Sequence, residues 1–171
     1  MRPWPSAAGG VPGSIWSDLG YPDPTTGQSL LPYVVEPAVG VDRTALTVLL
    51  DAYDEEEVRG ERRVVLRLAP SVAPYEVAVL PLSKHADLVG PARQMAAELR
   101  RALATDYDET QSIGRRYRRQ DEIGTPLAVT VDFESLQDHA ATIRERDSME
   151  QVRVGFDRLL EVCREKLGLA G

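Results

Sequence analysis

"SIGRRYRRQDEIGTPLAVTVDF", residues 112–133, decides how this chain is read. Its first part is polar, with Arg115, Arg116, Arg118 and Arg119 packed around Tyr117. Gly124 supplies a helix stop and Thr125–Pro126 a turn. Leu127–Phe133 is an apolar, β-branched run of the kind that forms a buried strand. The pattern predicts a helix of about three turns ending at Gly124, feeding straight into a central strand. That succession is the repeating unit of an α/β sheet.

The flanking sequence extends the same alternation. Upstream, "APYEVAVLPLS" carries an expected strand at Tyr75–Leu80. The next helix is expected to open near Pro91, a favoured first-turn residue, with Ala92, Met95, Ala96, Leu99 and Leu103 on one face. A short strand follows around Asp106–Tyr107. Downstream, "ATIRERD" and "EQVRV" read as two strands of a hairpin turning at Asp147–Ser148. Phe156, Leu159, Leu160, Cys163 and Leu167 recur at helical spacing in a last helix stopped by Gly168. The order from Tyr75 is β-α-β-α-β-β-α. It predicts a mixed, mostly parallel sheet flanked by helices, with an antiparallel edge from the hairpin.

The N-terminal part reads differently. Arg63–Leu68 is an expected strand, and Asp54–Glu57 an expected solvated acidic turn at a helix end. Before it, Val41–Tyr53 forms a helix whose polar positions Arg43, Thr47, Asp51 and Asp54 make one narrow stripe. A helix apolar on its other sides expects covering from several directions, by a second copy, a partner chain or the N-terminal arm. Leu30–Val35 reads as a short strand interrupted by Pro32, and residues 1–17, with Trp4 and Trp16, as a flexible arm.

With 171 residues, 43% hydrophobic and 27% charged, the chain can bury a real core. Its net charge of -7 excludes general adhesion to nucleic acid or membrane, so an anionic ligand needs a local patch. Cys163 is the single cysteine, which excludes an internal disulfide, and its place in an apolar stripe predicts a core residue. His85 and His139 are expected at the surface; with Cys163 they do not compose a structural zinc site, and no metal ligand is assigned. No apolar run reaches membrane-spanning length, and the start has no signal-peptide core, so the expected location is the cytoplasm.

The arginine segment carries the candidate chemistry. Arginine grips phosphate bidentately and stacks on bases, and Tyr117 adds a stacking surface of the kind single-stranded RNA uses. Gln120, Asp121, Glu122 and Thr125 bring donors and acceptors for base edges. The same residues also compose a solvated helix with internal ion pairs such as Arg118–Glu122. Composition leaves both readings open.

"SIGRRYRRQDEIGTP", followed by "VTVD" and "TIRERDSMEQVRV", resembles the C-terminal anticodon-binding domain of glycyl-tRNA synthetase, the alpha2-type class II enzyme. "DPTTGQSLLPYVVEPAVGVDRTALTVLLDAYDEEE" is similar to that family's motif 3 segment. The resemblance runs from about Asp18 to Val154. It implies the fold of class IIa anticodon-binding domains over 63–171, a motif 3 strand–helix remnant over 18–62, and the arm before it. It implies glycine tRNA as partner, held through Arg115, Arg116, Tyr117, Arg118, Arg119, Gln120, Asp121, Glu122 and Thr125. Arg115 and Arg118 alternatively fix the sheet through buried ion pairs. It places Glu36 and Ala38 toward glycine, and Gly40, Asp42 and Arg43 toward ATP, whose magnesium belongs to the parent enzyme. Ala38 stands where the family has Ser, and Tyr33 where it usually has His. Residues 1–17 resemble neither motif 1 nor motif 2, so no catalytic residue is assigned. The expectation is a tRNA-binding module that does not aminoacylate by itself and needs no cofactor of its own. The alternatives are a ligase component acting with another chain and a non-catalytic interaction subunit.

Overall fold

The computed structural model describes residues 20–30 and 35–169. The described residues up to Val39 form one unit and those from Gly40 another. In the first, β1 (Tyr21–Pro22) pairs antiparallel with β2 (Ser29–Leu30). The Asp23 carboxylate shapes the turn between them by accepting from the Thr25 backbone and the Thr26 hydroxyl. The expected arm and residues 31–34 of the expected Leu30–Val35 strand lie outside the described residues.

The second unit is built on a five-stranded sheet. Its strands are β5 (Val77–Pro81), β6 (Thr105–Tyr107), β7 (Leu127–Val131), β8 (Ala140–Glu145) and β9 (Gln151–Gly155). The spatial order is β6-β5-β7-β8-β9. β5 is parallel to β6 and β7, while β7–β8 and β8–β9 are antiparallel. Every residue of β5 and β7 is buried, because helices cover both faces. One face, with Val77, Val79, Val129, Val131, Ala141 and Ile143, packs under α2 (Ala86–Leu99) and α5 (Leu159–Lys166). The other presents the small Ala78 and Ala128 beside Leu80, and takes Ile113 and Tyr117 of α3 (Ile113–Ile123).

α2 begins at Ala86 and holds Pro91 inside it, a correction to the expected start. Buried Leu88 anchors the extra turn, and the hydrogen bond that Pro91 cannot make falls on the first-turn carbonyls, near solvent. α3 ends as expected at Gly124, whose φ is 89°. A short helix α4 (Ser135–Asp138) links β7 to β8.

α1 (Val41–Ala52) runs directly into β3 (Tyr53–Val58), which pairs antiparallel with β4 (Glu61–Leu66). The acidic run is therefore a strand, not a solvated turn, and the expected 62/63 boundary falls within β4. Cross-strand charge explains it: Glu56 stands opposite Arg63 and accepts from it, and Glu55 accepts from Arg62. Asp54 accepts from Arg67 Nε at 2.8 Å. On α1, Val41, Leu46, Leu49 and Leu50 are exposed.

Candidate nucleic-acid interface

α3 is an unusual core helix, since its buried residues are Arg116, Gln120 and Asp121. Each is matched by directional bonds. Arg116 donates to the carbonyls of Pro81, Leu82, Asp108 and Gln111, which end β5 and span the loop after β6. Its Nε has no partner, and burial pushes the guanidinium below its ordinary pKa against the pull of Asp108. Gln120 donates to Asp106 at 2.8 Å and accepts from Thr125 Oγ1 at 2.6 Å.

Asp121 is shared by two buried arginines. Arg63 Nε lies 2.8 Å from Oδ2, and Arg144 contacts Oδ1 at 2.9 Å and Oδ2 at 3.3 Å. Arg63 also reaches Glu56 and the Arg146 carbonyl, tying β4 to β8. The Arg144 guanidinium lies 4.9 Å from the Tyr117 ring centroid, and Tyr117 Oη meets Thr130 Oγ1 at 2.5 Å.

Arg116, Gln120, Asp121 and Thr125 are thus scaffold, each at most 2% exposed, which leaves no outward donor for the bases expected there. Tyr117 is half-buried, with Arg144 against its ring. Arg119 is engaged by the Asp108 carboxylate and by Thr110 Oγ1, so its pairing lies outside its own helix. Two Thr110 bonds and Arg119 hold Asp108 below the usual carboxylate range, although burial, the largest single effect, pulls the other way. Arg115 and Glu122 are exposed. Arg118 pairs with Glu61 of β4 at 3.6 Å rather than with Glu122.

These side chains surround an open groove of about 720 Å³ between α3, the β3–β4 turn and the β8–β9 hairpin. Arg59, Arg115, Arg118 and Arg144 line it with Tyr117, against two carboxylates, Glu61 and Asp121. Four arginines facing two carboxylates make a locally cationic surface on a chain of net charge -7. Arg59 and Arg144 were not among the residues singled out in the sequence. Arg144, in β8, and Arg146, just past its end, had a signal: arginines two apart in an extended segment share a face, and they bond Asp121 of α3 and the Gly124 carbonyl that follows it.

The anticodon binding domain family model matches residues 76–166, just over half of the chain, from the residue before β5 to the last residue of α5. The chain belongs to the anticodon binding domain family. The chain is also similar to three curated glycine–tRNA ligases. That of Caldanaerobacter subterraneus subsp. tengcongensis is 56% identical over 150 residues, which cover 88% of this chain and 32% of the ligase. That of Thermobifida fusca is 53% identical over 156 residues, 88% of this chain and 34% of the ligase. That of Corynebacterium efficiens is 54% identical over 147 residues, 83% and 32% respectively. The chain spans about a third of the length of these relatives. The β3–β4 hairpin lies outside the family-matched stretch.

Glu36 and Ala38 in the first unit, and Gly40, Asp42 and Arg43 in the second, are all exposed. Among the described residues there is no group of acidic, histidine or cysteine side chains arranged to hold a metal, and no helix long and apolar enough to cross a membrane.

Proposed function

We propose that the groove takes the anticodon loop of a glycine-accepting tRNA, as the RNA-recognising part of a cytoplasmic glycine–tRNA ligase of the alpha2-type, class II kind. The observation that carries it is the cationic groove on an acidic body, with Arg115 exposed and Arg118 held, among the described residues, by one exposed carboxylate. Phosphates would meet Arg115 and Arg118, while the half-buried Tyr117, with buried Arg144 against its ring, would offer a base a stacking edge. The relatives' names and the motif resemblance support the choice of tRNA. In this reading ATP and magnesium serve glycine activation in a full-length ligase, to which Glu36, Ala38, Gly40, Asp42 and Arg43 would contribute. The exposed apolar side chains of α1 favour a further element of the reading, a second copy or another chain covering that helix.

Fluorescence anisotropy with a glycine tRNA anticodon stem-loop tests the groove. Three or four phosphate contacts to a single-stranded loop give a log K against log salt slope of roughly -2 to -3. Arg115→Ala with Arg118→Ala should flatten it by about one to one and a half units. Unchanged affinity and slope in the folded double variant would remove the groove from RNA binding.

A further inference from the structure

We propose that the β3–β4 hairpin is a working wall of this site: Glu61 is an anionic latch on Arg118 that RNA phosphate displaces, and Arg59 is a further phosphate ligand. The proposal rests on the reading of the groove as an RNA site. The hairpin lies outside the family-matched residues 76–166, yet Val58, Arg59 and Glu61 line the groove opposite α3.

Three observations carry it. The tip is a two-residue turn between the paired Val58 and Glu61, and both Arg59 (φ 55°) and Gly60 (φ 79°) are left-handed. Such a turn matches the strand twist but disfavours an arginine at its first position, so Arg59 sits there at a conformational cost and at the groove edge. The hairpin does not float, because fully buried Arg63 bonds Glu56 of β3, Asp121 of α3 and the Arg146 carbonyl. And Glu61 reaches across to Arg118 at 3.6 Å while 80% exposed. An exposed pair of that kind shifts an equilibrium by no more than about five-fold, so a phosphate can take its place. Arg115, by contrast, has no carboxylate partner within ion-pair distance among the described residues. Among the described residues the groove therefore holds two arginines without a carboxylate partner, Arg59 and Arg115, and one latched, Arg118.

In the free protein the latch neutralises Arg118 and disfavours weak anions. When Arg115 and Arg59 hold other phosphates of the same strand, a neighbouring phosphate has the local concentration to displace the Glu61 carboxylate. Selection thus favours a chain of spaced phosphates over a single small anion.

The test uses the full chain and the same stem-loop, with Glu61→Gln, Arg118→Ala, the double variant and Arg59→Ala, and a melting curve on every sample. Glu61→Gln should tighten binding by about two- to five-fold, and this gain should largely vanish in the Arg118→Ala background. A gain of equal size in both backgrounds would show plain repulsion of RNA by Glu61 and overturn the latch. Arg59→Ala should flatten the salt slope by about 0.7, and an unchanged slope and affinity would exclude it as a ligand. If the wild type does not bind the stem-loop at all, the RNA reading falls and the latch with it. Binding without the Glu61–Arg118 coupling refutes the latch alone.

Discussion

Asp121→Asn is the sharpest perturbation of this domain, because one carboxylate at 1% exposure serves two buried guanidinium groups. Arg63 would keep Glu56 and the Arg146 carbonyl. Arg144 would keep only the Tyr117 ring and whatever the new amide oxygen accepts. Breaking a buried pair by neutralising one partner costs about 3–5 kcal/mol, since a desolvated charge is left behind. The retained Glu56 contact and the remaining acceptor place this substitution at the lower end, about 3 kcal/mol. For a domain of this size that is a fall in Tm of roughly 10 °C. Thermal and urea unfolding followed by circular dichroism measure it, with exposed Glu122→Gln as a control expected to stay within about 0.5 kcal/mol. Arg63→Met should cost less in the Asp121→Asn background than in the wild type, because the two residues act as one unit. A loss below about 1 kcal/mol, with Arg63→Met equally costly in both backgrounds, would refute the claim that Asp121 clamps β4 and β8 to α3.

The acid limit of stability follows from Asp54, Asp138 and Asp147, held below the ordinary aspartate range by hydrogen bonds from Arg67, Arg153 and Arg146 respectively. Their depressed folded values lie below the unfolded value of about 3.9, so their contribution is complete above that value and is lost as pH falls through the folded ones. The urea midpoint should be flat from pH 7 to pH 5 and drop below about pH 4; a midpoint flat down to pH 3 would contradict it. Burial pushes the Cys163 thiol up to about 12, so a thiol reagent at pH 8 should leave it unmodified until the domain is unfolded, and fast labelling of the native chain would disprove its enclosure. Gly124→Ala should cost about 2 kcal/mol or more from the left-handed φ and the crowding of a new Cβ, 2.9 Å from Leu68 Cδ1 and 3.0 Å from the Leu66 carbonyl. A melting point equal to the wild type's would refute that reasoning.

The central sheet was legible because its signals are one-dimensional. Leu127–Val131 and Val77–Pro81 are continuous apolar runs, α5 repeats its apolar residues at helical spacing, and Gly124 marks a stop. The second strand of the hairpin was expected, over Arg63–Leu68, but the first was not legible because four consecutive acidic residues, Asp54–Glu57, disfavour a strand locally. The arginines that stabilise it, Arg62, Arg63 and Arg67, lie across a turn. In the candidate site, the concentration of arginines was visible but their division of labour was not. Helical spacing places Arg115 and Arg116 on adjacent faces, yet only the sheet beneath makes Arg116 a buried staple and leaves Arg115 exposed. Likewise Arg118 chose Glu61, distant in sequence, over Glu122 one turn away.

The polar seat of α3 has a mechanical consequence. A helix resting on aliphatic side chains can slide or roll by a fraction of an ångström, since one methyl contact replaces another at little cost. α3 cannot, because Arg116 is registered against four carbonyls and Asp121 against two guanidinium forks, and each bond decays steeply with angle. The helix behaves like a keyed shaft rather than a bearing. Its outward side chains therefore sit at fixed azimuth and height before any ligand arrives, and the ordering of the groove's α3 wall is completed when the domain folds.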